Sequence, residues 1–219
     1  MSTGTADYVE AVSELGHGQR LTFSGVDWDD YERLVDRLGD DYHVRVSYSE
    51  GRLEIMGPSN KHEKIKGLIN RLVTITCYEL DLRWLSLGSV TLKKRALRRG
   101  AEADDCFYFA AVGTIIRQDT LDLATDPVPD IVVEVDLSSQ STRKLQIYAS
   151  FGVLEVWRYR KGGLEILKLS DNDYQSVSAS QFLPLITAER ITQYIADCES
   201  GGDLEAQHAL REWLRTRNN

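Results

Sequence analysis

The sequence predicts an α/β domain, with a central mixed β-sheet flanked by helices, β-hairpins and C-terminal helices. Three observations predict it. Segments of period 3.6 and period 2 alternate along the chain, in the order helix, hairpin, helix, several strands, helix, hairpin, helix. The most strand-like run, "PDIVVEVD" at 129–136, is apolar enough for a buried strand and leads directly into a helical segment. With 219 residues, 42% of them hydrophobic, the chain can bury one large core.

Taken in order, residues 1–20 read as a loosely docked lead-in, 21–195 as the main domain and 196–219 as a helical extension. "SGVDWDDYERLVDRL" offers Ser24 or Asp27 as a cap and places Tyr31, Leu34, Val35 and Leu38 on one face, which predicts an amphipathic helix. "HVRVSYSEGRLEIM" alternates on both sides of Glu50-Gly51 and predicts a hairpin. After Pro58, Ser59 caps a long helix whose residues 65, 68, 69, 72, 73 and 76 share a face toward a sheet. Short strands are expected around 84–87, 90–93 and 106–109, then a buried strand at 130–136 and a helix over 141–151. "LEVWRYR", Gly162-Gly163 and "LEILKL" form a second hairpin, and "YQSVS" reads as an edge strand. From Thr187 the pattern is helical, in two pieces broken at Gly201-Gly202, and these helices must pack on the body or on a second subunit.

Charge and composition narrow the function. No run of about 18 apolar residues exists and the first twenty residues lack the build of a secretion signal, so a soluble, cytoplasmic protein with no membrane contact is expected. Cys77, Cys106 and Cys198 are far apart, which argues against a disulfide framework and a zinc site, and any metal must take oxygen ligands. The net charge of −8 has the wrong sign for nonspecific coating of nucleic acid. Its distribution is uneven: residues 101–136 hold nine acids against one base, Arg117, while "KKRALRR" at 93–99 holds five bases. An acidic pocket beside a basic edge suits a metal-dependent enzyme acting on a phosphate polyanion.

The buried strand carries the chemistry. Alternation puts Val132, Glu134 and Asp136 on one face and Ile131, Val133 and Val135 on the other. Carboxylates among apolar neighbours are costly unless paired or holding a cation, and the alternative is a wet strand end. Ser139 or Ser141 would cap the next helix and so place Arg143 and Lys144 at its start, against the dipole. Lys144 lies at the border of that helix's apolar face, where its stem can run along the sheet and its ammonium reach the strand's carboxyl end, or form only a surface ion pair. Asp104, just before the apolar run 106–109, is a third acid at a strand mouth, or simple turn chemistry.

These residues carry a family resemblance. "EADDCFY", "PDIVVEVDLSS", "STRKLQIYA", "GVLEVWRY" and "GRLEIMGPSNKHEKI" together resemble the "putative restriction-endonuclease-like" proteins of the Uma-two type, abundant in cyanobacteria and a branch of the PD-(D/E)XK nuclease superfamily. The resemblance spans roughly residues 20 to 195 and implies a restriction-endonuclease-like core. It places the family's first acid on Asp104, the second on Glu134, the lysine, moved onto the next helix, on Lys144, and a histidine on His62 with Glu63 beside it. Ala103 stands where the family has proline, and Asp136 where a textual E-x-K has its lysine, so the assignment depends on Lys144 reaching back.

The resemblance implies metal-assisted phosphodiester hydrolysis. Asp104 and Glu134 would bind magnesium or manganese, Lys144 would assist the attacking water, His62 would be a further catalytic residue or else a capped core histidine, and Glu63 and Asp136 would be accessory. Lys93, Lys94, Arg95, Arg98 and Arg99 would contact the backbone of nucleic acid, expected to be DNA, and a homodimer would suit cutting both strands. Two other readings compete: a fold relative that no longer cuts and serves as a binding or assembly module, and a glycosidase-like acid–base hydrolase with aromatic residues around its cleft. The chain has no G-x-S-x-G elbow, P-loop or dinucleotide fingerprint.

Overall fold

The computed structural model describes residues 5–39, 42–137 and 142–217. Its elements run α1 Thr5–Ser13, β1 Arg20–Ser24, α2 Trp28–Leu38, β2 Arg45–Ser49, β3 Arg52–Met56, α3 Asn60–Glu79, β4 Leu85–Ser86, β5 Val90–Lys94, β6 Arg99–Ala103, β7 Asp105–Tyr108 and α4 Val112–Ile115. Then follow β8 Ile131–Asp136, α5 Thr142–Phe151, β9 Glu155–Arg160, β10 Gly163–Ser170, β11 Asp173–Val177, α6 Ala188–Gly201 and α7 Asp203–Arg215. The class is α/β, as the periodicities predict. The strands, however, divide into two sheets rather than one. An antiparallel sheet has the order β1-β3-β2-β6-β5, and a mixed sheet has the order β11-β10-β9-β8-β7-β4, in which β8 and β9 are parallel.

Local chemistry explains most elements. Glu50 and Gly51 both take positive φ, as a two-residue hairpin turn requires, and join β2 to β3 in the expected register. The second hairpin turns at Lys161-Gly162, one residue before the expected pair, so Gly163 begins β10. Ser59 caps α3 by accepting from the His62 backbone N–H, and Thr187 caps α6 through Arg190. Asp27 occupies the cap position of α2 but makes no side-chain cap bond. The expected caps of α5, Ser139 and Ser141, lie outside the described residues.

The lead-in is a correction. Residues 1–20 were expected to dock loosely, yet α1 buries Tyr8 and Val12 against a cluster containing Trp28, Tyr31, Leu34 and Ile55. That cluster lies on one face of the antiparallel sheet under α1 and α2. The mixed sheet has a core on each side. Ile131, Val133 and Val135 face α3, α6 and α7, whereas Val132 joins Cys106, Ile147 and Tyr148 on the α5 side. The C-terminal helices pack on the body of the same chain, where α7 buries Ala206, Leu210 and Leu214 against α3 and α6.

Candidate active site

The site grows from one run of chain that serves both sheets. β6 pairs with β2 and β5, and β7 pairs with β8, so the stretch 99–108 crosses from one sheet to the other at Asp104. Small residues, Gly100, Ala101 and Ala103, let it pass beneath its neighbours. At the crossing the Asp104 backbone N–H donates to the Val133 carbonyl (3.2 Å), and its carboxylate Oδ2 accepts from the Val135 N–H at 2.7 Å. A loop acid is thereby fixed beside the β8 acids. Asp104 is 1% exposed and Glu134 2%, which excludes a wet strand end.

Lys144 reaches Glu134. Its Nζ donates to Glu134 Oε2 at 2.9 Å and Oε1 at 3.1 Å, and to the Glu102 carbonyl at 2.9 Å. The Tyr148 hydroxyl, one turn further along α5, donates to Glu134 Oε1. Spacing of four on a helix puts Lys144 and Tyr148 on the same side, over the same carboxylate. Asp136, on the same β8 face, is also buried.

On the other flank, His62 in the first turn of α3 is buried and its Nε2 lies 3.0 Å from Asp104 Oδ2. Its Nδ1 lies 3.3 Å from Glu63 Oε1, so Glu63, although partly exposed, belongs to the network. Arg45 of β2 ties these acids together. It donates from Nε to Asp104 Oδ1 (3.2 Å), from Nη1 to Glu102 (3.1 Å), and from Nη2 to Glu63 (3.3 Å) and Ser89 Oγ (2.8 Å). Ser89 in turn donates to the Asp104 carbonyl at 3.0 Å.

The surroundings set the charges. Burial works to raise the Asp104 pKa, but the hydrogen bond from His62, the Lys144 charge and the Val135 amide hold it down at about 2. Burial works to lower the His62 pKa, and the Asp104 hydrogen bond and charge overcome it, so His62 is raised above its ordinary value. Glu134 is pushed up to about 7, chiefly by burial, with the charges of Asp104 and Asp136 adding to it against Lys144. Lys144 is raised: burial opposes its charge, and Glu134 and Asp104 prevail. The ammonium therefore stays protonated and acts as a fixed positive charge.

Two cavities meet at Arg45. One, of about 560 Å³, is lined by Tyr42, His43, Glu63, Lys66, Ser89 and others, and Tyr42 is its one Phe, Tyr or Trp side chain among the described residues. That lining lacks the aromatic surround that the glycosidase reading requires. The other, about 30 Å³, lies at Glu134, Asp136 and Lys144 with Arg20 and Arg143 at its rim, and has room for a water. Asp104 and Glu134 are hard oxygen donors already bonded to positively charged groups, and magnesium is commonly held by one or two carboxylates with water completing its shell. The donor chemistry fits such an ion. Among the described residues no cluster of three or more His, Cys, Asp or Glu makes a full protein cage, so water and substrate oxygens would fill the remaining positions.

Other expected site residues lie elsewhere. Of the acids between 101 and 136, Asp130 accepts from the Phe109 and Ala110 amides, Asp105 from Asn70 and Ser86, and Asp122 and Asp126 hold a turn. Only Glu102, Asp104, Glu134 and Asp136 gather at the site. The basic run splits by strand alternation. Lys93 pairs with Asp36 (3.5 Å) and Arg95 with Asp29 (3.1 Å) and Glu32, all on α2, and Arg98 lies beside Asp27, Asp29 and Asp30. Lys94 and Arg99 face the α5 side, Lys94 over the Phe151 ring and Arg99 paired with Glu50 at 3.2 Å. Sequence reasoning missed Arg45, Ser89, Glu102 and Tyr148. Arg45 alternates with Val44 and Val46, which reads as a solvated strand position, and Tyr148 reads as part of an apolar helix face.

Comparisons with known proteins bear on the family and the fold. Residues 28–196 match the model of a family, Uma2, described as "Putative restriction endonuclease". The fold is similar to a solved structure of "a putative nuclease belonging to DUF820 from Anabaena variabilis ATCC 29413", with a TM-score of 0.53 and 13% identity, covering 78% of this chain and 99% of that one. No curated protein matches.

Proposed function

Because the chain belongs to the Uma2 family, described as "Putative restriction endonuclease", we propose that it is a metal-dependent endonuclease that hydrolyses phosphodiester bonds of nucleic acid, with DNA as its substrate. The observation that carries this reading is the buried Glu134 held by Lys144 at 2.9 Å, beside Asp104 at the strand crossing. Asp104 and Glu134 would hold magnesium or manganese, which when bound polarises the phosphate and lowers the pKa of a coordinated water. Every other part belongs to the protein. Lys144, anchored on the Glu102 carbonyl, sets a permanent positive charge where negative charge develops on the phosphoryl oxygens. Since it stays protonated, it donates hydrogen bonds to the water or phosphate and takes no proton. Tyr148 fixes the Glu134 carboxylate, and His62 with the Val135 amide fixes Asp104.

The test is cleavage of DNA and RNA by wild type, Glu134→Ala and Lys144→Ala, with magnesium, manganese or EDTA. Wild type cuts only with metal, Glu134→Ala is inactive, and Lys144→Ala loses on the order of 10²- to 10³-fold, the worth of one oxyanion-stabilising donor. A second reading, a binding or assembly module, is favoured by the internal partners that already engage both carboxylates and by Ala103 in the proline position. No cleavage with either metal, and no manganese binding by calorimetry, would leave that reading standing.

A further inference from the structure

We propose that the substrate's phosphodiester backbone reaches the site across the open face of the antiparallel sheet, held by Arg20, Arg52 and Arg143. The inference rests on the nuclease reading and adds to it where the polyanion lies. In an antiparallel sheet, directly paired residues point to the same side. The pairings Ser24↔Arg52↔Ser49↔Arg99 and Thr22↔Glu54↔Ser47↔Ala101 therefore form polar rows on one face. The opposite face carries Phe23, Leu53, Ile55, Val46 and Tyr48 and is covered by α1 and α2. On the polar face, α5 covers the β6–β5 end, where Ala101 and Leu92 meet Ile147 and Tyr148. At β1 this face lies open among the described residues, with Arg20, Thr22 and Ser24 exposed, and on β3 Arg52 and Glu54 are partly exposed.

This open face runs continuously into the site. A cavity of about 10 Å³ is lined by Arg52, Ser47, Ser49 and Arg143, and the neighbouring 30 Å³ cavity by Arg143, Arg20, Glu134, Asp136 and Lys144. Arg143 lines both. Glu54 pairs with two of the three arginines, lying 3.3 Å from Arg52 and 3.7 Å from Arg20, and the buried Glu134 and Asp136 line the cavity next to Arg20 and Arg143. Arg143 is exposed and makes no ion pair among the described residues, and the Arg52 Nε is buried without a hydrogen-bond partner. Guanidinium groups suit phosphate because their fork matches two oxygens at once. By contrast, Lys93 and Arg95 are engaged by α2 acids on the other side of the sheet.

The experiment is fluorescence anisotropy in EDTA with the full chain and labelled duplex DNA, single-stranded DNA and RNA across a salt series. Variants are Arg52→Gln/Arg143→Gln, Arg143→Gln alone, Arg95→Gln, and Arg33→Gln as a charge-matched control on α2. The double variant is expected to bind on the order of tenfold more weakly, with a slope of log affinity against log salt shallower by about 2. Arg33→Gln binds as wild type does. Arg143→Gln alone, at an exposed position with no ion pair among the described residues, keeps the test intact should the double variant fail to melt cooperatively. Unchanged binding in the Arg143 variants, or a larger loss with Arg95→Gln, overturns the track while leaving cleavage by wild type intact. A wild type that binds none of the three nucleic acids overturns the track and the nuclease reading together.

Discussion

At the residue scale, the central fact is that two carboxylates close in sequence terms to nothing but strand and turn are given opposite electrostatic fates. Asp104 is stabilised as an anion by His62 and a backbone amide, while burial raises Glu134. A pH experiment follows from the Asp104–His62 pair. The raised His62 pKa contributes stability that is fully present below the ordinary 6.5 and is lost as pH rises through the folded value. The depressed Asp104 pKa contributes stability present above its ordinary 3.8 and lost as pH falls through about 2. NMR titration of metal-free protein should find His62 above 6.5 in wild type. In Asp104→Asn, burial, the largest influence, and Arg45 remain to lower it against the Glu63 charge alone, and the titration should move below 6.5. How legible these residues are in sequence depends on period. Glu134, Asp136 and Lys144 could be placed because alternation and helical angle orient side chains from sequence alone. Arg45 could not, because the partner strand that turns its face inward, β6, lies far along the chain.

At the element scale, the crossing strand decides the site. β6, "RGAEA", contains no β-branched or aromatic residue, so propensity gives no strand signal, and it forms because β2 and β5 pair on both its edges. β1 and α4 escaped notice for similar reasons: one falls across the lead-in boundary and the other is a single turn. The hairpins, α3, α5 and α6 were legible because their turns, caps and periods are local. Gly100 is where the crossing strand is most constrained. A Cβ there would lie 2.1 Å from the Tyr31 hydroxyl, and Tyr31 is fully buried and stacked on Tyr48 with centroids 5.1 Å apart. Gly100→Ala should cost about 1 to 3 kcal/mol of unfolding free energy in a urea titration. A change below a few tenths would mean that the α2 packing yields freely.

At the scale of the whole molecule, the two sheets divide the work. The mixed sheet, enclosed by α3, α6 and α7 on one side and α5 on the other, forms the main body, while the antiparallel sheet brings Arg45 and the polar face to it. The C-terminal α7 lies beyond the family match at 28–196 but is part of this body, since Leu210 and Leu214 are completely buried. Leu210→Ala should therefore destabilise the whole chain by about 2 to 5 kcal/mol, read as a lower thermal midpoint of one cooperative transition. Two separate transitions would show instead that α7 is an appendage. Among the described residues, no helix is long and apolar enough to cross a membrane.

The passage of one strand through both sheets also governs how such a chain can change in length over generations. An inserted or deleted residue at the hairpin tips Glu50-Gly51, Lys161-Gly162 or Asp171-Asn172 alters only a turn. The same change between Arg99 and Tyr108 would shift register in one sheet relative to the other and turn every side chain on one side of Asp104 to the opposite face. The tips are free to diverge, and the crossing must keep its residue count for as long as the site is to exist.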